Sequence, residues 1–571
     1  MQGTDNIKNI RTRSWLQFGT VIAAVIFVAM AASLLRIRVD LTEDKRYTLS
    51  APTHRVLKGL KKDIFIQVYL DGEMPIPFKR LRRSVREMLD EFRIVSGNRV
   101  GYDFINPSES SDPKERDKQY QSLMAKGLSP INIQAADNEG GKSQKIIFPG
   151  LIINYNGIEV PVNFLENNPS VPAEENLLHS TEGLEYELIQ TISTLSSDTV
   201  YRIAFLEGQD ELPEPEVADI TMSLAKFFTI DRGSIGDDPA VLDKYAAVIV
   251  AGPEKEFTEK DKFILDQYIM RGGRVMWLVD EVKVSADSLA SGESAALYRP
   301  LNVEDQLFRY GARINPVILQ DLECVFIRLT VMSGGTRQQV VPAPWLYFPK
   351  LIPDQKHPIT RNLNRVKGEY AGYIDTVGLD GNIRKTVLLS TSSYARTLSP
   401  PFIISLREAE SPPDEREFTR SNLPVALLLE GKFTSAFRNR ITSNLANIPA
   451  AKVKNESVDT KMVVIADGNI IRNEVRRVGS QETPLPLGQD RYTGEMYGNR
   501  DFLINCLNYM VDNNGIMALR SRELKLRLLD TARIKKEKVM WQLINIIGPV
   551  FLVGLAGFLY GYLRKRKYTR S

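Results

Sequence analysis

The apolar stretch Trp541–Leu563, WQLINIIGPVFLVGLAGFLYGYL, carries no charge. As a helix rising about 1.5 Å per residue it extends roughly 35 Å, enough to cross the hydrocarbon layer of a membrane with some tilt. Arg564, Lys565, Arg566 and Lys567 follow it directly. A second stretch of the same character, Trp15–Leu35 (WLQFGTVIAAVIFVAMAASLL), lies near the other end. Everything between them is therefore expected to be tied to a membrane at both ends.

Ala29-Met30-Ala31 offers a small-x-small cleavage site behind the basic residues Lys8, Arg11 and Arg13. The apolar run is longer than the roughly 7–15 residues of a signal core, so it reads as a retained anchor. Two spans place both termini on one side. Long loops translocate largely regardless of charge, so residues 1–14 and the basic tail 564–571 are expected in the cytoplasm and the bulk outside it, on the periplasmic face of an inner membrane. The chain has 571 residues, 43% hydrophobic and 25% charged, with a net charge of +4. That composition supports folded domains rather than disorder. The small positive balance sits beside the apolar stretches and argues against a nucleic-acid face. Cys324 and Cys506 form no CxxC, so no metal or redox motif arises from them.

Residues 36–197 read as a first α/β domain. Ser50-Ala51-Pro52 looks like a helix start. Ile64–Leu70 alternates as a strand, and Phe78–Val95 carries Leu81, Val85, Met88, Leu89 and Phe92 at helical spacing. Arg99–Ile105 is a strand and Asp117–Lys126 a short helix ended by Gly127. Ile131–Ala135, Ile146–Tyr155 and Ile158–Phe164 are strands, the last two joined by the hairpin signal Asn156-Gly157. Glu182–Leu195 closes the domain as a helix. This β-α-β-α-β-β-α order resembles a thioredoxin-like fold, with Ser129-Pro130 where that fold places a cis-proline. The turn after the first strand, Asp71-Gly72-Glu73-Met74, holds no cysteine, so a redox-dead scaffold is expected.

Residues 198–515 read as a second domain. Tyr201–Leu206, Ala246–Ala251 and Arg274–Val279 are apolar strands, and Val217–Phe228 and Thr258–Met270 are helices between them. Apolar strands alternating with helices predict a doubly wound parallel sheet. Ser285–Ala296 reads as a small-residue loop, Val303–Tyr310 as a helix and Ile314–Leu319 as one strand. From about 322 to 454 the pattern becomes proline-rich and irregular, a β-containing insertion. Lys461–Ala466 and Asp501–Val511 resume the α/β pattern. A stalk over 516–540 follows, its charged helix Ala518–Lys538 carrying Leu519, Leu526 and Leu529 on one side.

In open parallel sheets ligands bind beyond the carboxyl ends of the strands. Here those ends carry Glu207, Gly208, Gln209, Asp210, Gly252, Asp280 and Asp467. They could form an acidic cleft, or simply make the strand-to-helix turns for which Gly and Asp are suited. No GxSxG is present, and His54, His179 and His357 are isolated from one another. Gly141-Lys142-Ser143 lacks the earlier glycine of a phosphate-binding loop, Ala136 standing in its place, and a strand follows it rather than a helix. No metal or cofactor is expected, and without an ATP site the chain cannot drive transport alone. Gly554, Gly557 and Gly561 suit close helix packing in a membrane.

The stretches RVDLTEDKRYTLS, FINPSE, TEGLEYELIQTI, FLEGQDEL, YIMRGGRVMWLVDEV and GNRDFLINCLNYMVD resemble the GldG family, gliding-motility-associated auxiliary proteins of ABC transporters in Bacteroidetes. The resemblance implies a multi-span permease (GldF-like) and a cytoplasmic ATPase (GldA-like) as partners. By analogy with ABC systems it also implies a pairwise assembly, a homodimer within the complex. It likens the middle domain to amidotransferase-like and flavodoxin-like α/β folds, without a matching nucleophile. Relatives often carry Gly-His-Gly-Glu at the Glu207–Glu211 loop, and this chain has no histidine there. The expected function is a non-enzymatic subunit of such a complex. The alternatives are an envelope glycan or peptide hydrolase using the acidic cleft, and a ligand-binding module that presents substrate to the permease.

Overall fold

A computed structural model describes residues 15–16, 18–27, 30, 48–136, 142–165, 172–197, 200–333, 337–378, 381–440, 453–478, 481–490, 492–521 and 531–568. The chain divides into two compact units, one of residues 1–41 and 47–522 and the other of 42–46 and 523–571. It is a mixed α/β protein with both parallel and antiparallel strand pairing.

In the first part of the larger unit, the helix Ala51–Lys58 starts where the sequence signals it, its Ser50 hydroxyl accepting from the Thr53 amide. The helix Ile76–Val95 buries Phe78, Leu81, Val85, Leu89 and Phe92, one residue per turn. That face covers a four-stranded sheet in the order Val100–Phe104, Ile64–Val68, Gly150–Tyr155, Ile158–Asn163. The first pair is parallel, with Ile66 opposite Tyr102, and the other two are antiparallel. Asn156 and Gly157 close the hairpin with φ of 54° and 85°, the left-handed conformation this pair tolerates. Two helices begin earlier than their apolar periodicity predicts. Pro113–Ala125 starts at the cap Asp112, and Ala173–Ser196 opens with the acidic turn Glu174-Glu175. The cis peptide bond among the described residues is Pro400–Pro401, not the expected Ser129–Pro130.

The second part is built on a ten-stranded sheet. Its parallel half runs Thr460–Ile465, Val275–Leu278, Ala247–Ala251, Arg202–Glu207, Thr229–Ser234. Strands buried on both faces need apolar residues on both. Ile203, Phe205, Ile249, Met276 and Val463 pack beneath the helices Ala218–Leu224 and Asn499–Val511. Val248, Val250, Trp277 and Val464 pack beneath Glu259–Met270 and Glu304–Tyr310. The stretch read as an irregular insertion completes this same sheet. Pro424–Gly431 pairs antiparallel to Thr460–Ile465, and Ile383–Ser390, Arg337–Pro353 and Cys324–Ser333 follow in turn.

Three local readings change. Ser285–Ala296 is not a loop: Ser285 caps a helix over Ala286–Ala290, and Glu293–Tyr298 is a strand paired with Phe402–Ser405. Ile314–Leu319 is two strands, Ala312–Asn315 and Ile318–Asp321, which flank Pro316 and pair with different partners. Thr229–Ser234 is an edge strand that its polar sequence, TIDRGS, conceals from an apolar-pattern reading.

Residues Met517–Ser521, where the stalk helix was expected to begin, form a 3-10 turn on the body instead. Asp512 accepts from the Asn514, Gly515 and Met517 amides and sets that turn. Ile516, Met517 and Leu519 then enter the core of the first domain, where the Tyr186 hydroxyl lies 3.0 Å from the Met517 sulfur. Leu526 and Leu529 lie outside the described residues.

In the smaller unit, Thr531–Tyr568 is one helix containing Pro549. Its segment Lys536–Arg566 is the one helix among the described residues long and apolar enough to cross a membrane. A Cβ placed on Gly554, Gly557 or Gly561 would meet nothing within 4 Å. Of the expected first span, Phe18–Phe27 is a shorter apolar helix, and residues 17, 28–29 and 31–35 lie outside the described residues.

Candidate functional site

The strand-end residues separate into three groups. Asp280 and Asp467 end the adjacent strands Val275–Leu278 and Thr460–Ile465 and face one another across the first turns beyond the sheet. Each oxygen of the pair has a donor. Gly468 N–H donates to Asp280 Oδ1 at 2.8 Å and the Asn469 side-chain amide to Asp280 Oδ2 at 3.4 Å. Asn469 N–H donates to Asp467 Oδ1 and Glu369 N–H to Asp467 Oδ2, both at 2.9 Å. Asn469 thus bridges the two acids, and Glu369 arrives from the segment read as an insertion. Gly252, with φ of 61°, completes the group: a Cβ there would lie 3.4 Å from the Gly468 carbonyl oxygen. A Cβ on Gly468 would lie 2.7 Å from Asp280 Oδ2 and 2.9 Å from Gly252 Cα. Glycine at these two positions lets the turns meet backbone to backbone.

Burial sets the electrostatics here. It pushes the Asp280 carboxyl up to about 6, opposed by the Gly468 amide and the Arg299 guanidinium. Burial, and next the Asp280 charge, hold Asp467 well above the usual carboxylate range. Two carboxyls this enclosed favour sharing a proton over carrying two charges. Glu281, the next residue along, is pushed up to about 8 by burial and by the neighbouring Glu304 charge. The arrangement pins three turns together. It leaves no carboxyl oxygen of the pair without a donor.

The second group is Glu207 and Gly208, at the end of Arg202–Glu207. Glu207 forms an ion pair with Arg232 at 2.7 Å on the edge strand, and a Cβ on Gly208 would face Ser234. The third is Gln209 and Asp210. The Gln209 carbonyl accepts from the Glu254 and Lys255 amides, and its side chain donates to Asp261 at 3.3 Å. Asp210 is half exposed and pairs with Lys255 at 2.9 Å. Glu211 accepts from the Gln209 amide, and burial raises its carboxyl. Each of these side chains has a partner within its own turn or on the adjoining element.

Sequence reasoning missed Glu369, Asn469, Arg299 and Glu281. Asn469 follows Asp467-Gly468 directly and had a local signal, because Asp-Gly-Asn is turn chemistry. Glu369 had none. Cys324 and Cys506 are buried free thiols, both raised by burial, Cys324 to about 11. Among the described residues no group of three or more His, Cys, Asp or Glu side chains is placed to hold a metal ion.

The chain thus combines a mixed α/β body, strand-end carboxyls engaged by its own turns and, near residue 550, a helix long and apolar enough to cross a membrane. The chain belongs to the auxiliary family described as an ABC-type uncharacterized transport system, whose profile matches residues 201–506. That family is not a known enzyme family, and membership makes the chain an accessory component associated with ABC permease and ATPase components. Residues 43–154 match a domain of unknown function. No curated protein matches the chain. Among solved structures it is similar to the mmIFT52 N-terminal domain at 12% identity and a TM-score of 0.31, covering 55% of this chain and 98% of that one. It is also similar to the exo-beta-1,4-mannosidase Op5Man5 from Opitutaceae bacterium strain TAV5 at 11% identity and a TM-score of 0.21, covering 75% and 51%. Both scores are too low to define a shared fold.

Proposed function

We propose that the chain is a non-enzymatic subunit of a gliding-motility or cell-envelope ABC complex of the GldG type. It is anchored by two spans, Trp15–Leu35 and Trp541–Leu563, with both termini in the cytoplasm and the body in the periplasm. Its partners are a multi-span GldF-like permease and a separate GldA-like ATPase. The observation that carries this reading is the auxiliary-family match over residues 201–506. Two features support it. The strand-end carboxyls Asp280 and Asp467 are taken up by turn amides, which leaves the hydrolase reading without a free acid–base pair. The small residues Gly554, Gly557 and Gly561 share a helix face on which no described residue lies within 4 Å of an added Cβ, a surface suited to a permease helix. The first domain is a redox-dead thioredoxin-like scaffold in this reading. Its strand order, one parallel and two antiparallel pairings, supports that, as does the cysteine-free Asp71–Met74 turn. The test is purification of the tagged full chain in mild detergent. Recovery of a permease and an ATPase with it is expected. Recovery of the chain alone overturns the reading.

A further inference from the structure

A pocket of about 410 Å³ opens on the first domain, lined by none of the strand-end residues of the second. Lys79, Arg82, Arg83 and Arg86 line it together with Glu87, Asp90 and Gly72. The four cations stand at i, i+3, i+4 and i+7 on the helix Ile76–Val95, so they share one face. Solvated helix faces usually mix signs, because like charges at these spacings repel. Here Glu87 and Asp90 follow Arg83 and Arg86 by four residues, but Asp90 is turned to the Tyr102 hydroxyl. Among the described residues no carboxylate lies within ion-pair distance of Lys79, Arg83 or Arg86, and all three are exposed.

The face is also held in place. Arg82 and Arg86 both stack over the Phe104 ring, at 5.3 and 4.8 Å from its centroid. Arg82 is further fixed by Asp71 at 2.8 Å, and its Nε is buried without a hydrogen-bond partner among the described residues. Asp90 is occupied by the Tyr102 hydroxyl at 2.7 Å. The position is one where sheets present ligands. Gly72 follows the strand Ile64–Val68, and Phe104, under Arg82 and Arg86, ends its parallel neighbour Val100–Phe104, so one end of the pocket lies at the carboxyl ends of two parallel strands, while Asp90, bonded to Tyr102, carries the other end back along the second.

We propose that this pocket binds a phosphate monoester. Guanidinium forks match tetrahedral oxyanions two bonds at a time, and Lys79 adds a point charge. Four cations stand against Asp71, Glu87 and Asp90, of which Asp71 and Asp90 are already engaged by Arg82 and Tyr102, so the pocket stays net positive and its guanidinium geometry suits a tetrahedral phosphate better than a single carboxylate. The volume leaves room for an organic substituent on the phosphate. The phosphate could be a small-molecule ester or a lipid headgroup.

The experiment is isothermal titration of the full-length detergent-solubilised chain with inorganic phosphate, glycerol phosphate, short-chain phosphatidic acid and acetate. The three phosphates are expected to bind and acetate to bind far more weakly. Equal affinity for glycerol phosphate and phosphatidic acid assigns a soluble ester, and a marked preference for phosphatidic acid assigns a headgroup. The double substitution Lys79→Gln and Arg83→Gln removes two exposed cations, so the protein folds as before. It is expected to lower phosphate affinity by about tenfold or more at an unchanged ligand-free Tm. The proposal is overturned if no phosphate binds, if acetate binds as tightly, or if the double variant binds undiminished.

Discussion

At the carboxyl ends of Val275–Leu278 and Thr460–Ile465, two acids turn inward and meet amide donors from their own turns and from Glu369. At the carboxyl ends of Ile64–Val68 and Val100–Phe104, four cations line an open pocket, and three of them have no carboxylate partner among the described residues. Both are clusters of charged residue types at the edge of parallel strands. They differ in whether the fold has already used the groups. A carboxyl whose lone pairs are filled contributes to stability and has little left for a ligand. An exposed cation without a carboxylate partner contributes little to stability and can still bind. The two sheet ends therefore predict opposite mutational behaviour.

The largest effect is expected from Asp467→Ala. It strips the acceptor from the Glu369 and Asn469 amides inside the protein and should lower stability by about 3 kcal/mol. Denaturant unfolding of the full chain would measure it, and a loss below about 1 kcal/mol would mean these bonds do not pin the turns. Next is Gly468→Ala, whose Cβ has no space beside Asp280 and the Gly252 backbone. A loss of roughly 1–3 kcal/mol is expected from the forced shift.

The third prediction concerns pH. The Asp280 carboxyl stands at about 6 in the fold against an ordinary 3.8. A raised carboxyl favours folding most below the ordinary value, and that contribution is lost as pH rises through about 6. Tm measured from pH 4 to 7 should therefore fall more steeply for the native chain than for Asp280→Asn. The difference in stability change should be roughly 1–3 kcal/mol, and parallel curves would show that the carboxyl does not titrate in this window.

The smallest effect belongs to the other sheet end. Lys79→Gln with Arg83→Gln relieves like-charge pairs and should leave stability unchanged or raise it by about 0.5 kcal/mol. A fall of more than about 1 kcal/mol would show that these cations hold the fold, and the contrast between the two ends would fail.

Much of the second domain was legible because its parallel strands are short apolar runs that stop at Asp or Gly. Asp280 and Asp467 could be placed at strand ends from that pattern alone. Their use could not, because Glu369 reaches Asp467 from nearly a hundred residues away along the chain. The edge strand Thr229–Ser234 was hidden by its polarity, and Pro316 split what looked like one strand into two. In the helix Ile76–Val95 the apolar stripe drew attention to the buried face, while the cations at 79, 82, 83 and 86 were equally periodic on the other. What distinguishes them from a solvated face is Phe104 and Gly72 beside them, which the fold brings from other elements.

By itself the sequence determined the apolar helix ahead of Arg564–Lys567, the doubly buried strands, the Asn156-Gly157 hairpin and the lack of a nucleophile motif. Each follows from hydrophobic period or turn chemistry within a few residues. Only the tertiary structure decided that the proline-rich region extends the same sheet, that Met517 and Leu519 enter the core of the first domain, and which charges are satisfied. Strand partners and hydrogen-bond donors are chosen across distant segments once the chain has closed its loops. Local pattern carries no record of that choice.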